Sequence, residues 1–155
     1  MVGLMKVFAS AALLAQGALA SPTLATRGEG IHILNCWPFG GAGVPQTWLS
    51  VVVYCANDSD CSNPSYSPPA ENVCVKSSSG TANNYHTWEG GQQSCTFPSG
   101  VKFTWNIPSG AQSQPNYSSV GSGSNGYRSF AGFKDDHSGS APYNYHSCEK
   151  LYYYI

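Results

Sequence analysis

"VKFTWNI", residues Val101–Ile107, has the clearest periodicity in the chain. Apolar side chains recur at every second position, and polar side chains fill the positions between them: Val101, Phe103, Trp105 and Ile107 on one side, Lys102, Thr104 and Asn106 on the other. Successive side chains of a strand point to opposite faces, so this pattern predicts a β-strand with one buried face.

Further segments have strand character, whereas nothing after residue 20 shows a convincing helical period. WLSVVVYC, residues 48–55, is nearly all apolar and β-branched, which predicts a central strand covered on both faces. The remaining strands are expected at GIHILNC (30–36), ENVCV (71–75), YRSFAGF (127–133) and KLYYYI (150–155). Short strands joined by long Gly/Ser/Pro loops predict an all-β domain, either a compact β-sandwich or a small barrel.

The segments around the last two strands carry specific expectations. Residues 107–126, IPSGAQSQPNYSSVGSGSNG, show no period and are expected to form a long flexible loop of the kind that can carry function. We expect Cys148 to pin the final strand into the sheet. Its side chains would then divide between two faces, with Leu151, Tyr153 and Ile155 on one and Tyr152 and Tyr154 on the other.

The first twenty residues have the pattern of a secretory signal peptide. Lys6 precedes the apolar run VFASAALLAQGALA, and Ala18 and Ala20 form a small-x-small cleavage pattern, which predicts cleavage before Ser21. Residues 21–29 are then expected to be a flexible lead-in or a short pro-segment ending at Arg27, and residues 30–155 a single β-rich domain. The predicted location is extracellular.

Six cysteines lie in the expected mature chain, at positions 36, 55, 61, 74, 95 and 148. An even number in an exported chain predicts three disulfides, although six cysteines allow about 15 pairings. We favour Cys36–Cys148, because it would tie the first strand to the last. A zinc site is disfavoured because the chain has no Cys-x-x-Cys pair.

Low charge limits the classes of partner. Charged residues make up 10% of the chain and the formal net charge is −1. There is no basic stripe for a phosphate backbone and no lysine-rich amphipathic helix for an anionic lipid surface. We therefore expect no nucleic-acid or membrane partner. We also expect the protein to have no cofactor and to be a monomer.

Four side chains could form an acid–base site: His86, Glu89, Arg128 and His137, with His146 as an alternative second histidine. This order is similar to that of small fungal ribonucleases, which place a histidine, a glutamate, an arginine and a second histidine around the scissile phosphate. The spacing departs from that family, because its glutamate and first histidine lie on separate strands, whereas His86 and Glu89 share one short turn. Polar loop residues are therefore the favoured interpretation of these four.

Two clusters of carboxylates are candidate metal sites. Asp135, Asp136 and His137 could contact a divalent ion, but adjacent strand residues point to opposite faces. Asx turns at loop tips are the favoured interpretation of KDDHS (134–138) and of ANDSD (56–60). No Gly-x-Ser-x-Gly elbow is present. An enzyme is not excluded, but the sequence leans against one.

Aromatic residues are the best candidates for a binding surface. Trp88 lies in the polar stretch NNYHTWEGG and is expected to be exposed, together with Tyr85, Tyr143 and Tyr145. Trp105 lies on the apolar face of its strand and is expected in the core. Two Asn-x-Ser sequons, at Asn57 and Asn116, fall in expected loops and predict N-glycosylation.

The leader ALLAQGALASPTLATRGEG, combined with a small six-cysteine body rich in Gly, Ser and Tyr, resembles small secreted effectors and elicitors of filamentous fungi. Some of those proteins are compact disulfide-bonded β-sandwiches. The resemblance implies a non-enzymatic protein that binds a host protein or a cell-wall glycan and induces plant cell death or defence. Two alternatives stay open: a glycan-binding module that uses exposed aromatic residues, and a small ribonuclease-like hydrolase.

Overall fold

The structure is a computed structural model, and it describes residues 28–41, 43, 46–144 and 146–155. The expected signal peptide, residues 21–27 of the expected lead-in, and Tyr145 lie outside the described residues. The described strands are β1 Gly30–Pro38, β2 Trp48–Cys55, β3 Val73–Ser79, β4 Gly91–Thr96, β5 Lys102–Ile107, β6 Ser119–Ser124, β7 Ser129–Lys134, β8 Gly139–Tyr143 and β9 His146–Tyr154. One short helix, α1, spans Asp58–Cys61, and single 3₁₀ turns span Ala70–Asn72 and Ala111–Ser113.

The strands form one antiparallel sheet that is almost closed on itself. Its order is β3-β2-β1-β9-β7-β6-β5-β4, and β8 pairs with the first half of β9. The terminal strands β3 and β4 are joined by the Cys74–Cys95 disulfide, and Lys76 Nζ donates a hydrogen bond of 3.0 Å to the Ser94 carbonyl. The all-β prediction is therefore confirmed, and of its two forms the barrel-like one is correct.

The interior of the sheet holds the main core. Phe103, Trp105 and Ile107 of β5 are buried there, whereas Lys102 and Asn106 are exposed, so the predicted alternation is confirmed. Strand β2 is covered on both faces, as expected: Val52 packs in the interior core, and Val51 and Val53 pack in a second core. That second core lies on the outer face of β1, β2 and β9, where Cys61 and Tyr66 cover it.

Residues 107–126 are not one long loop, and that expectation is wrong. A 3₁₀ turn of 3 residues and the 6-residue strand β6 interrupt the segment. Two positions explain why the Gly/Ser run forms a strand. A Cβ at Gly123 would collide with the Phe103 ring, and a Cβ at Gly121 would collide with the backbone of Asn106. Glycine is required there by close packing, although the same composition is typical of loops.

The last strand is pinned as predicted, because β9 pairs with β1, β7 and β8. The predicted division of its side chains is wrong at one position. A shift in the register between β1 and β9 leaves Leu151 without a partner on β1, so Leu151 and Tyr152 both pack in the interior core with Tyr154. A β-bulge of this kind inserts one extra residue into a strand, so the alternation of side chains between the two faces of the sheet shifts by one position.

All six cysteines are paired, so the predicted three-disulfide framework is confirmed. The favoured Cys36–Cys148 bridge is present and joins residues that face each other across β1 and β9. Cys55–Cys61 closes the turn that contains α1. None of the helices in the described part of the chain is long and apolar enough to cross a membrane.

Candidate functional site

A cavity of about 530 Å³ lies against the outer face of β1 and β9, and we call it the His32 cavity. His32 lies on the outer face because its neighbours Ile31 and Ile33 pack in the interior core. The cavity is lined by Gly28, His32, Asp58, Ser62, Tyr117, Asp135, Asp136, Ser138, Lys150, Tyr153 and Ile155. Four of these ionisable side chains are buried: His32, Asp58, Asp135 and Lys150.

The first buried pair joins β1 to the α1 turn. His32 Nε2 lies 2.9 Å from Asp58 Oδ1. The Asp58 amide donates a 3.0 Å hydrogen bond to the Gly28 carbonyl, and a Cβ at Gly30 would collide with the Asp58 side chain. His32 is 3% exposed and its Nδ1 has no hydrogen-bond partner among the described residues. The cavity wall therefore contains a buried polar atom that the described part of the chain does not satisfy.

The second buried pair joins β9 to the segment after β7. Lys150 Nζ lies 3.8 Å from Asp135 Oδ1, and the Asp135 amide donates to the Leu151 carbonyl. Burial raises the pKa of Asp135 above its ordinary value, an effect opposed by the Asp136 amide, by Lys150 and by the nearby His32. The two buried pairs thus belong to one electrostatic cluster.

The rim of the cavity carries a third polar pair. The Tyr117 hydroxyl donates a 2.6 Å hydrogen bond to Asp136 Oδ2, and the Ser138 amide donates to Asp136 Oδ1 at 2.8 Å. The Tyr117 hydrogen bond, with help from Ser138, holds the pKa of Asp136 below its usual range. The same bond raises the pKa of Tyr117 to about 12. Asp136 is therefore ionised at neutral pH, and the ring of Tyr117, which is 59% exposed, is held in place.

The floor of the cavity is a column of stacked rings. Tyr153 lies between Phe133, at a ring distance of 5.2 Å, and His32, at 6.0 Å. Because both faces of the Tyr153 ring are covered, its edge borders the cavity.

The sequence indicated only part of this site. Asp135 and Asp136 were singled out, as metal ligands, and the Asx turn expected there is confirmed by the Ser138 amide bond. His32, Asp58 and Lys150 were missed. A signal did exist, because His32 and Lys150 are polar residues inside strands that are otherwise apolar.

The four acid–base candidates do not form one site. His86 bonds to Gln93 and Ser50, and Arg128 lies 3.6 Å from Glu29. A chain of side-chain hydrogen bonds, by contrast, links Glu89 to His137. The Tyr152 hydroxyl donates to Glu89, His137 Nε2 lies 3.1 Å from Gln112 Oε1, and Gln112 also hydrogen-bonds Tyr152. His146 is buried and contacts the Thr47 carbonyl at 2.9 Å.

The expected exposure of Trp88 is wrong, since Trp88 is 2% exposed. Its indole Nε1 donates a 3.1 Å hydrogen bond to Asn35 Oδ1, and its ring packs on Trp105 at 5.7 Å. Trp88 thus fills the interior beside the β3–β4 closure, whereas Trp105 is in the core as predicted. Tyr85 and Tyr143 are half-buried.

A different aromatic residue is exposed. Tyr127 is 88% exposed at the turn between β6 and β7, where Asn125 Oδ1 accepts the amide hydrogens of Tyr127 and Arg128. It borders a groove of about 410 Å³ that Tyr54 and Phe97 also line. Sequence patterns place Tyr127 at the start of an expected strand, 127–133, and so do not single it out as an exposed aromatic residue; the observed strand β7 begins only at Ser129.

Both sequon asparagines are exposed, and each directly precedes a residue of the His32 cavity. Asn57 precedes Asp58, and its Oδ1 accepts the Ser59 amide hydrogen at 3.3 Å, which caps α1. Asn116 precedes Tyr117. Glycans at these positions would therefore lie beside two different walls of the cavity.

Within the described ranges, no three His, Cys, Asp or Glu side chains come together in a way that could hold a metal ion. No protein family matches the chain, and neither a curated protein nor a solved structure matches it at a significant level.

Proposed function

We propose that this chain is an exported, non-enzymatic binding protein of the effector or elicitor type, which recognises a host or cell-wall component through the His32 cavity. The observation that carries the proposal is the group of four buried ionisable side chains around one cavity. Burying charges is unfavourable unless they are paired, and replacing a buried ion pair with apolar residues is often neutral or stabilising. Such groups gathered around a cavity are therefore typical of functional sites.

The disulfides support a binding role because they hold the walls of the cavity. Cys55–Cys61 closes the turn that presents Asp58, and Cys36–Cys148 joins the two strands that present His32 and Lys150. A preformed site loses less conformational entropy when a ligand binds. Three disulfides also agree with an extracellular location, to which the predicted signal peptide would direct the chain.

The test is infiltration of purified mature protein into plant leaves, alongside a reduced and alkylated sample. Ser62→Tyr would fill the cavity, and Ser78→Tyr is the matched control on the exposed side of β3. We expect the native protein and Ser78→Tyr to induce cell death or defence, and the reduced sample and Ser62→Tyr to be inactive. Full activity of a correctly folded Ser62→Tyr protein would contradict the proposed role of the cavity.

A second candidate function, binding of a neutral glycan, is favoured by the exposed Tyr127. An aromatic ring held beside a groove can stack on the apolar face of a sugar ring, and the polar groups of Glu29, Asn72 and Asn125 border the same groove. This candidate predicts that cell-wall polysaccharide retains the protein and that Tyr127→Ala weakens retention. Trp37→Ala, at another exposed aromatic residue outside the groove, is the control.

The hydrolase alternative remains a prediction. Its support is the chain of contacts from Glu89 through Tyr152 and Gln112 to His137. It predicts that Glu89→Ala and His137→Ala each abolish turnover of RNA or an oligosaccharide, whereas His86→Ala, which lies outside this chain of contacts, does not. Loss of turnover with His86→Ala alone would contradict a paired role of Glu89 and His137.

A further inference from the structure

We infer that the groove beside Tyr127 binds the terminal residue of a neutral glycan chain. Because this groove lies at an open end of the barrel-like sheet, we call it the barrel mouth. This inference rests on the second candidate function, since it states which part of a glycan the same groove would take. Three features of the mouth carry it: a closed floor, a compensated charge, and an exposed ring at the rim.

The mouth is built from strand ends that share one edge of the sheet. Neighbouring strands are antiparallel, so β1, β3, β5 and β7 start at the edge where β2, β4 and β6 end. Glu29 directly precedes β1, Tyr54 is the penultimate residue of β2, and Asn72 directly precedes β3. The turns β4–β5 and β6–β7 supply the other rim residues, which are Phe97, Ser99, Val101, Asn125 and Tyr127.

The interior core closes the floor of the mouth. Ile31 and Phe97 line the mouth and are buried members of that core, and Tyr54 and Val101 pack against it. The Tyr54 and Phe97 rings meet edge to face at 6.5 Å. Within the described part of the chain, the mouth therefore opens only beyond the strand ends. The middle of a polymer needs a groove with two exits, whereas the end of a chain fits a pocket with one.

The charge at the mouth is compensated. Among the described lining residues, Glu29 is the only one ionised at neutral pH, and Arg128 Nη1 lies 3.6 Å from its Oε1. The Tyr54 hydroxyl also hydrogen-bonds to Glu29. A charged ligand would lose hydration here without gaining an unpaired counter-charge. An uncharged ligand is therefore the one that complements the mouth.

The exposed ring of Tyr127 distinguishes a sugar from a purely apolar ligand. It stands between the mouth and a second groove on the outer face of β5 and β6. A sugar ring has an apolar face that can stack on this aromatic ring, and hydroxyls around its edge. Asn125 Oδ1 accepts the amide hydrogens of Tyr127 and Arg128, which leaves Nδ2 as a donor for such a hydroxyl. We expect the terminal residue in the mouth and the next residue on Tyr127.

The test measures how binding depends on chain length, by calorimetric titration of the disulfide-intact protein. The probes are dimers to hexamers of β-1,4-linked glucose, β-1,3-linked glucose and β-1,4-linked N-acetylglucosamine. We expect at least one series to bind, with an affinity per chain that changes by less than about twofold beyond the trimer. Sedimentation with a longer soluble chain of the same series should give one protein per chain, because each chain offers one end of the required kind.

Two tryptophan substitutions test the assignment to the mouth. Ser99→Trp should abolish binding by filling it, and Tyr127→Ala should weaken binding about tenfold. Ser109→Trp is the matched control, because Ser99 and Ser109 are both exposed and stand in the same Pro-Ser-Gly sequence at opposite ends of β5. Thermal unfolding checks that both tryptophan variants are folded. Ser109→Trp should bind like the native protein.

Several outcomes would overturn the chain-end assignment: several proteins on one chain, an affinity that keeps rising with length, or full binding by a folded Ser99→Trp protein. Saturable binding of 1-octanol without binding of any oligosaccharide would assign the mouth to an apolar ligand instead.

Retention on cell-wall polysaccharide separates this inference from the second candidate function. If polysaccharide retains the protein through Tyr127 but several proteins bind each soluble chain, glycan binding stands and the chain-end assignment fails. If polysaccharide does not retain the protein and no oligosaccharide binds, both fail.

Discussion

His32 Nε2 lies 2.9 Å from Asp58 Oδ1 across 26 positions of sequence, and both side chains are buried. The pair is the contact by which the disulfide-closed α1 turn meets the outer face of β1. The wall of the cavity that the two side chains form therefore exists only when the chain is folded, because the residues are distant in the sequence.

Removing Asp58 should therefore destabilise the fold strongly. Asp58→Ala leaves His32 buried without its partner, and we expect the free energy of unfolding to fall by about 3 kcal/mol. Asp60→Ala, two residues along the same short helix and less buried, should change it by less than about 0.5 kcal/mol. Urea unfolding with the disulfides intact measures both. Equal effects of the two substitutions would show that the pair contributes no specific stability.

The Cys74–Cys95 disulfide should stabilise mainly the seam of the barrel-like sheet, where the end strands β3 and β4 meet. Replacing both cysteines by serine should lower stability by about 3 kcal/mol, the value the chain-entropy relation gives for a separation of 21 residues. Hydrogen exchange should become faster in β3 and β4, because these end strands lose their covalent link. The corresponding Cys55/Cys61 double variant should leave exchange in β3 and β4 unchanged. Unaltered exchange at the seam in the first variant would mean that side-chain packing closes the sheet without the disulfide.

Asp135 should make stability depend on pH. Because burial raises its pKa above the ordinary 3.8, the stabilising effect of its protonation is complete below that pH and is lost as pH rises through the folded-state pKa. Asp135→Asn is neutral throughout. We expect the unfolding free energy of the variant, relative to the native protein, to increase from about pH 4 to about pH 7.

The ion pair with Lys150 acts in the opposite direction to burial, because it forms only when Asp135 is ionised. Its effect is already included in the net upward shift of the Asp135 pKa. A relative stability that decreases with pH would show that Lys150 stabilises the ionised carboxylate by more than burial disfavours it.

The sequon at Asn57 allows glycosylation and helix capping to be separated. Ser59→Ala removes the sequon but keeps the Asn57 cap, so the expected glycan should be lost with little change in the stability of unglycosylated protein. Asn57→Ala removes both and should destabilise the protein by about 1 kcal/mol. Mass spectrometry of protein exported from a eukaryotic host, combined with thermal unfolding, distinguishes them. A mass difference between the native protein and Ser59→Ala that matches the lost hydroxyl oxygen alone would show that Asn57 carries no glycan.

Strands with strong local patterns were predictable, as β2 and β5 show. Strand β6 was not, because Gly121 and Gly123 serve close approaches to Asn106 and Phe103 that lie outside the segment. Trp88 was misplaced for a similar reason. Its polar neighbours suggest a surface loop, but its indole finds a buried acceptor in Asn35, a residue 53 positions away.

The amino-acid sequence by itself determined the all-β class, the principal strands and the number of disulfides, because side-chain period and cysteine count are local properties. Tertiary structure decided which polar side chains meet. His32 and Lys150 reach the same cavity because β1 and β9 are neighbours in the sheet, although they stand near opposite ends of the chain. The closure of the sheet likewise decided which aromatic rings are buried. Burial and pairing depend on contacts between distant segments, and those contacts exist only once the barrel has formed.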